Sequence, residues 1–146
     1  MQVLNPEYRA FVEAGFAHAP FIAGNAIRLD DCGPGWCASS VVLEPRHMQQ
    51  NGVAHGGLLA TIADHTAGGA AATLLAPGSY ALTAELKVSM LRAAKGERLE
   101  CRAQVIKPGR AISFVEAEVF AVSGGKRELV AKASATMAVI TGNNAA

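Results

Sequence analysis

The sequence predicts an α+β fold in which one long helix is wrapped by a curved antiparallel sheet of about six strands. Three observations carry this. The stretch Gln49–Ala72 (QQNGVAHGGLLATIADHTAGGAAA) passes from polar residues and glycines into a long apolar, small-residue segment of helical length. The C-terminal half alternates apolar and polar residues between turn signals, the pattern of successive antiparallel strands. A single helix cannot cover two separate sheets, so one sheet curving around it is the economical packing.

The bulk composition narrows the class. A chain of 146 residues, 51% of them hydrophobic, forms one domain (1–146) with a real core. A net charge of +1 with no basic or acidic block points to neither nucleic acid nor a membrane surface. The apolar run Gln49–Leu75 is broken by His55, Asp64, His65 and several glycines, which argues against a transmembrane helix. The start, MQVLNPEYRAF, lacks the basic-then-apolar order of a signal peptide. Cys32, Cys37 and Cys101 are odd in number and match neither a disulfide framework nor a zinc site. Free thiols and a cytoplasmic location are the expectation.

Taken in order, Asn5-Pro6 predicts a short helical segment over 5–15, with Asn5 as N-cap, Pro6 at the first helical position and an end near Gly15. Pro20 breaks any helix through His18–Phe21. Phe21–Asp30 reads as a strand weakened by Gly24, Cys32–Gly35 as a turn, and Trp36–Leu43 as the returning strand. After the polar loop Arg46–Ala54, the central helix starts near His55 and ends near Leu75, ahead of Pro77-Gly78. Its glycines and alanines make it slim, and Gly68-Gly69 costs roughly 1 kcal/mol per glycine relative to alanine, a sign of close packing. Ser79–Leu91 alternates, with Tyr80, Leu82, Ala84, Leu86, Val88 and Met90 on one face and Thr83, Glu85, Lys87 and Ser89 on the other. Arg98–Ile106 turns Leu99, Cys101, Ala103 and Val105 inward. Ile112–Val122 and Leu129–Ile140 follow, separated by Gly124-Gly125, and a disordered tail is expected over 142–146.

Asp64 is the first candidate for chemistry, because a carboxylate inside an apolar helix is costly to bury unless paired. An ordinary solvent-facing Asp explains the pattern equally well. His55-Gly56-Gly57 is the second: unpaired N–H groups at a helix start, with the dipole behind them, suit the oxygen of an ester or thioester becoming an oxyanion. Taken alone, a Gly-Gly helix start capped by His55 is the plainer account. Gly56 and Asp64 are eight residues apart, roughly 12 Å along a helix axis, too far for both to touch one acyl carbon. If they serve one substrate, they come from different subunits of an antiparallel homodimer. Thr83, a hydroxyl near a strand start, is a third candidate, although the alternation turns it away from its own helix. His47, His55 and His65 form no metal-binding spacing, so no metal is expected. No nucleophile elbow or phosphate-cradling loop is present. Arg92, Lys95, Lys107 and Arg110 lie in turns, either as solvated charge or as a grip on the phosphates of a long substrate.

Gly52-x-x-His55-Gly56-Gly57 followed by Leu59-Ala60-Thr61-Ile62-Ala63-Asp64 resembles the signature of hotdog-fold acyl-CoA thioesterases of the PaaI-like, phenylacetate-degradation type. The segment LTAELKVSMLRAAKGERLECRAQVIKPGRAISFVEAEV resembles the family's later strands, and the likeness runs from about Phe21 to Ile140. The resemblance implies that Asp64 activates the hydrolytic water as base or nucleophile, and that the Gly56 N–H binds the thioester oxygen. It implies further that His55 steadies this loop or the leaving thiol, and that Thr83 helps position the water. Gln49 stands where many members carry an asparagine on the thioester carbonyl, a departure that keeps a side-chain amide. Asn51 is a neighbouring candidate. Gly57, Arg92, Lys107 and Arg110 would contact the substrate. The family builds its site across a dimer, two of which commonly form a tetramer, and needs no cofactor beyond the coenzyme A of the substrate. Two rivals differ in kind: a hotdog enoyl-CoA hydratase or dehydratase, which needs an acid and a histidine placed for proton exchange, and a non-catalytic acyl-CoA-binding protein. The acyl group itself is not fixed; small residues around Ala67–Ala71 leave room for a chain or a ring.

Overall fold

In the computed structural model, which describes residues 1–142, six antiparallel strands form one sheet around a central helix. The elements run α1 (Tyr8–His18), α2 (Pro20–Gly24), β1 (Arg28–Gly33), β2 (Trp36–Val42), a 3-10 turn (Pro45–His47), α3 (Gly56–Ala72), β3 (Ser79–Met90), β4 (Arg98–Lys107), β5 (Ile112–Ser123) and β6 (Lys126–Thr141). Across the sheet the order is β1-β2-β4-β5-β6-β3, so β3, although first after the helix, lies at an edge.

The C-terminal strands form where their period-2 pattern places them. Leu99, Cys101, Ala103 and Val105 of β4 are all buried against α3, as are Ala131, Ala133, Ala135 and Met137 of β6. Ile62, Ala63, Ala67 and Ala70 of α3 meet them in one continuous core. Gly69 is the close-packed glycine: an added Cβ would stand 2.9 Å from Cys37 Sγ and 3.3 Å from the Phe16 ring. Gly68 differs, since nothing lies within 4 Å of a Cβ placed there.

Buried hydroxyls complete the helix–sheet contact. Thr66 Oγ1 donates to the Ile62 carbonyl at 2.5 Å and accepts from Ser39 Oγ of β2 at 2.6 Å. Thr73 Oγ1 donates to the Ala70 carbonyl at 2.7 Å and accepts from the Gly35 N–H at 2.8 Å. Among the described residues no buried side-chain polar atom lacks a partner. Cys32, Cys37 and Cys101 are free and buried.

Three expectations are corrected. The first helix starts at Tyr8, capped by Glu7, rather than at Pro6 with Asn5 as cap: Asn5 instead forms a turn, its Oδ1 accepting from the Glu7 N–H at 3.0 Å. The helix also runs through Gly15, which is exposed, to His18. Phe21–Gly24 is helical, not a strand, because Pro20 is preset for the first turn of a helix; the strand begins only at Arg28, after Ala26 reverses the chain at φ 58°. In β3 the strict alternation fails at a β-bulge between Thr83 and Glu85, where Ala84 is the extra residue. Before the bulge Tyr80 and Leu82 are exposed; after it Leu86 and Val88 pack on the core. The phase change turns Thr83 toward its own helix. Of the tail expected to be disordered, all but Gly142 lies outside the described residues.

Candidate active site

The loop before α3 is held by a histidine. His47 is buried; its Nδ1 accepts from the Glu44 N–H at 3.0 Å and its Nε2 donates to the Asn25 carbonyl at 3.0 Å. Its own carbonyl accepts from the His55 N–H at 2.9 Å, which fixes where the helix starts. No cluster of metal-ligating side chains occurs among the described residues.

His55 is the N-cap of α3, with extended backbone at φ −62° and ψ 135°. Its Nδ1 accepts from the Gly57 N–H at 2.8 Å, so the ring proton sits on Nε2. Gly57 has to be glycine for this: a Cβ would stand 2.9 Å from Nδ1. The Gly57 N–H is therefore taken by the cap. The Gly56 N–H, by contrast, has no acceptor among the described residues and lies at the positive end of a helix of 17 residues. Gln49 Oε1 accepts from the Asn51 N–H within a turn closed by Gly52 at φ 75°. With the amide oxygen so occupied, the Gln49 NH2 is the end left to donate. Asn51 is exposed on the same turn.

Two turns along the helix, Asp64 is half-buried, and Thr83 Oγ1 donates to its Oδ1 at 2.6 Å. The pair stands on a cavity of about 310 Å³ between α1, α3 and β3. Its apolar walls are Phe11, Val12, Phe16, Tyr80, Leu82 and Met137. His65 joins this wall, edge-on to Phe16 with ring centroids 4.4 Å apart. Burial holds His65 below its ordinary imidazole value, partly offset by a backbone hydrogen bond with Gly15 and by the charge of Asp64. A larger hollow of about 460 Å³, between α1 and β1, includes Arg9, Glu13 and Arg28 but none of the candidate site residues.

Within one chain the site residues fall into two groups. Gln49, Asn51, His55, Gly56 and Gly57 gather at the start of α3, while Asp64 and Thr83 meet at its middle. Arg92 pairs with Glu128 at 3.5 Å, and its N–H bonds the Val130 carbonyl. Lys107, at the end of β4, and Arg110, in the connection to β5, are both exposed near the Ala111–Val139 backbone bond. Val130 and Val139 are nine residues apart on one strand, so these cations are separated by roughly 30 Å. Sequence reasoning overlooked the α1 side of the cavity. A signal existed in the matching i, i+4 pairs Phe11–Gly15 and Asp64–Gly68, but which helix faces which is set only by packing.

Comparison with known proteins adds a functional class. Residues 51–128 match the thioesterase superfamily. The span includes Gly56, Asp64 and Thr83 and leaves Gln49 outside. A putative esterase of Pseudomonas aeruginosa is 33% identical over 115 residues, covering 73% of this chain and 83% of that one. A crystal structure of a thioesterase family protein from Silicibacter pomeroyi superposes with a TM-score of 0.90 at 33% identity, over 92% of this chain and 99% of that one. A thioesterase from Haemophilus influenzae, at 19% identity, shares the fold with a TM-score of 0.86 over 99% of each chain.

Proposed function

The chain belongs to the thioesterase superfamily and is a thioester hydrolase; from that premise we propose that it hydrolyses acyl-CoA thioesters to a free acid and coenzyme A, as a PaaI-like enzyme working across a homodimer. The observation that carries the proposal is the Asp64–Thr83 pair at the edge of an apolar cavity, two helical turns from a free N–H at Gly56.

The steps follow from the donors and acceptors. The Thr83 proton points at Asp64 Oδ1, so the threonine oxygen keeps lone pairs to accept a proton of a water. Asp64 Oδ2 takes the other proton as the water oxygen bonds to the thioester carbon. The carbonyl oxygen gains charge against the Gly56 N–H and the Gln49 NH2 of the other subunit. Collapse re-forms the carbonyl, breaks the C–S bond and releases the thiolate, which takes the proton held on Asp64. No metal or redox cofactor enters this sequence. The dimer is supported by the 12 Å arithmetic, by the unpaired outer edge of β3, and by the partly open positions Thr61 and Asp64 on α3. Pairing of two dimers into a tetramer belongs to the same proposal. Arg92 from one subunit, with Lys107 and Arg110 from the other, would grip the phosphates. Three reduced thiols fit a cytoplasmic enzyme.

Two substitutions test this. Asp64→Asn removes the base, and turnover is expected to fall by about 10²–10⁴. Gly56→Pro replaces the N–H by a ring carbon without breaking the helix: Gly56 is the first helical residue, and His55 already has the extended backbone that a following proline requires. A loss of about 10²–10³ in kcat with unchanged helicity is expected. Full turnover by Asp64→Asn on the best acyl-CoA would refute the catalytic assignment.

A further inference from the structure

We propose that His47, buried behind the start of α3, is the positioning residue for both oxyanion donors, the Gly56 N–H and the Gln49 amide, and that it acts as a neutral ring engaged at both nitrogens. The proposal rests on the hydrolytic reading of Gly56 and Gln49 and adds to it a residue that does not touch the substrate.

The ring sits at the base of a closed loop. Residues 48–54 leave His47 and return to His55, whose N–H donates to the His47 carbonyl at 2.9 Å. Within the loop Met48 and Ala54 form a β-bridge, and the Gln49 N–H donates to the Val53 carbonyl at 2.9 Å. Gln49 lies inside this loop, and Gly56 follows directly on its closing bond. A shift at His47 therefore moves both donors together. On one side the loop is tied by the Ala54 N–H, which donates to the Ala94 carbonyl at 2.9 Å. The tie on the α2 side is the His47 ring.

His47 stands at the third position of the 3-10 turn, where a capping box uses Glu or Gln. Its Nδ1 fills that role by accepting from the Glu44 N–H, and its Nε2–H adds a bond that a carboxylate cannot make, to the Asn25 carbonyl at the end of α2. The site thus needs one acceptor and one donor, which the neutral ring with its proton on Nε2 supplies. Both partners are backbone groups and His47 is 3% exposed, so losing either nitrogen strands a polar group away from water. Arg46 strengthens the same joint, its Nη1 donating to the Gly24 carbonyl and its Nε to Glu44 at 2.9 Å. The titratable groups on the hollow beside the ring are Arg46 and His55, with Glu44 behind Arg46; α2 and its cap present only Phe21 and Asn25. A proton added at Nδ1 would turn a donor toward the Glu44 N–H, next to the Arg46 charge.

The test is a substitution series in the full chain, read against pH. His47→Gln keeps one acceptor and one donor, His47→Glu keeps the acceptor alone, and His47→Phe keeps neither. With the acyl-CoA that the wild type turns over best, kcat is expected within about threefold of wild type for Gln, down about tenfold for Glu and down about 10²-fold for Phe, because displaced donors fail at the transition state. KM is expected to change less than kcat. Nitrogen-15 spectra of the imidazoles follow each histidine separately. In the wild type kcat is expected to fall in step with protonation of His47, and His47→Gln is expected to lose that part of the profile while the parts set by His55 and Asp64 remain. Equal kcat in the Gln and Glu variants, kcat that stays level while the His47 signal titrates, or a ring carrying its proton on Nδ1 overturns the proposal. Hydrogen exchange at the His55 amide, with the β4 amides as reference, separates positioning from activity. Faster exchange in His47→Glu than in His47→Gln supports the proposal even if no thioester is cleaved, in which case the activity assignment fails. Lost turnover with unchanged exchange would put His47 in the reaction itself and overturn it. If His47→Phe does not fold, the Gln and Glu variants decide.

Discussion

At Gly57 a methyl group would stand 2.9 Å from His55 Nδ1, whereas at Gly56 the nearest atom is the Met90 methyl at 3.6 Å. Gly57 closes the cap; Gly56 leaves a donor in the open. Thr83 has a comparable division of labour, since its proton goes to Asp64 and its lone pairs are left to accept. Thr83→Val keeps the shape and removes the hydroxyl. Under the hydrolytic mechanism it is expected to lower kcat by about 10–100-fold with little change in KM, measured by thiol release, because only the placement of the water suffers. A rise in KM at constant kcat would instead give Thr83 a part in substrate binding. His65 carries a prediction about stability. Its folded pKa lies below the ordinary 6.5, with burial the largest cause. Between the two values the unfolded chain binds a proton that the folded chain does not, so stability rises with pH through that window and is lost as pH falls. Melting temperatures of the wild type and His65→Gln from pH 5 to 7 are expected to converge toward the acid end. Parallel curves would assign the slope elsewhere.

Within α3 two adjacent glycines give opposite expectations. Gly69→Ala drives a methyl into Cys37 Sγ and the Phe16 ring and is expected to cost about 1–3 kcal/mol. Gly68→Ala meets nothing and is expected to gain up to about 1 kcal/mol from helix propensity. Urea titrations of the two variants decide it, and equal shifts would contradict the packing described. These glycines look alike in the sequence; only the neighbouring β2 and α1 distinguish them. The same limit recurs elsewhere. β4 and β6 were legible because Leu99 to Val105 and Ala131 to Met137 keep an unbroken period of two against one helix. Asp64 and the His55-Gly56-Gly57 start were legible as motifs. The orientation of Thr83 was not, because Ala84 adds one residue to the strand and reverses its phase without a glycine or proline to announce it. Phe21–Gly24 misled because its apolar content fits a strand, while Pro20 starts a helical turn that then ends at Asn25. The place of α1 beside Asp64 was hidden because it is a matter of where one amphipathic helix docks.

One chain holds the Gly56 N–H and the Asp64 carboxylate roughly 12 Å apart along the helix axis, too far to meet at one carbon, which makes assembly an experimental handle. If each site takes Gly56 from one subunit and Asp64 from the other, Gly56→Pro and Asp64→Asn subunits complement one another. Half the dimers in an exchanged equimolar mixture are mixed, and each contains one intact site, so about a quarter of wild-type activity should return. Mixtures as inactive as their components would place the whole site in one subunit. For such a dimer to work, α3 has to present Asp64 at a fixed angle; Leu58, Leu59 and Ile62 anchor its first half in the core, while the second half is mostly alanine and glycine. The Ser39–Thr66 and Gly35–Thr73 bonds lie seven residues apart on one side of the helix, opposite ends of a short line. They work as two keys on the smoother half of the shaft. A slip of one residue turns a helix by about 100°, and both keys would have to shear before Asp64 could swing away from Thr83. The buried hydroxyls thus set the azimuth of the carboxylate from the far side of the helix, without touching the reaction.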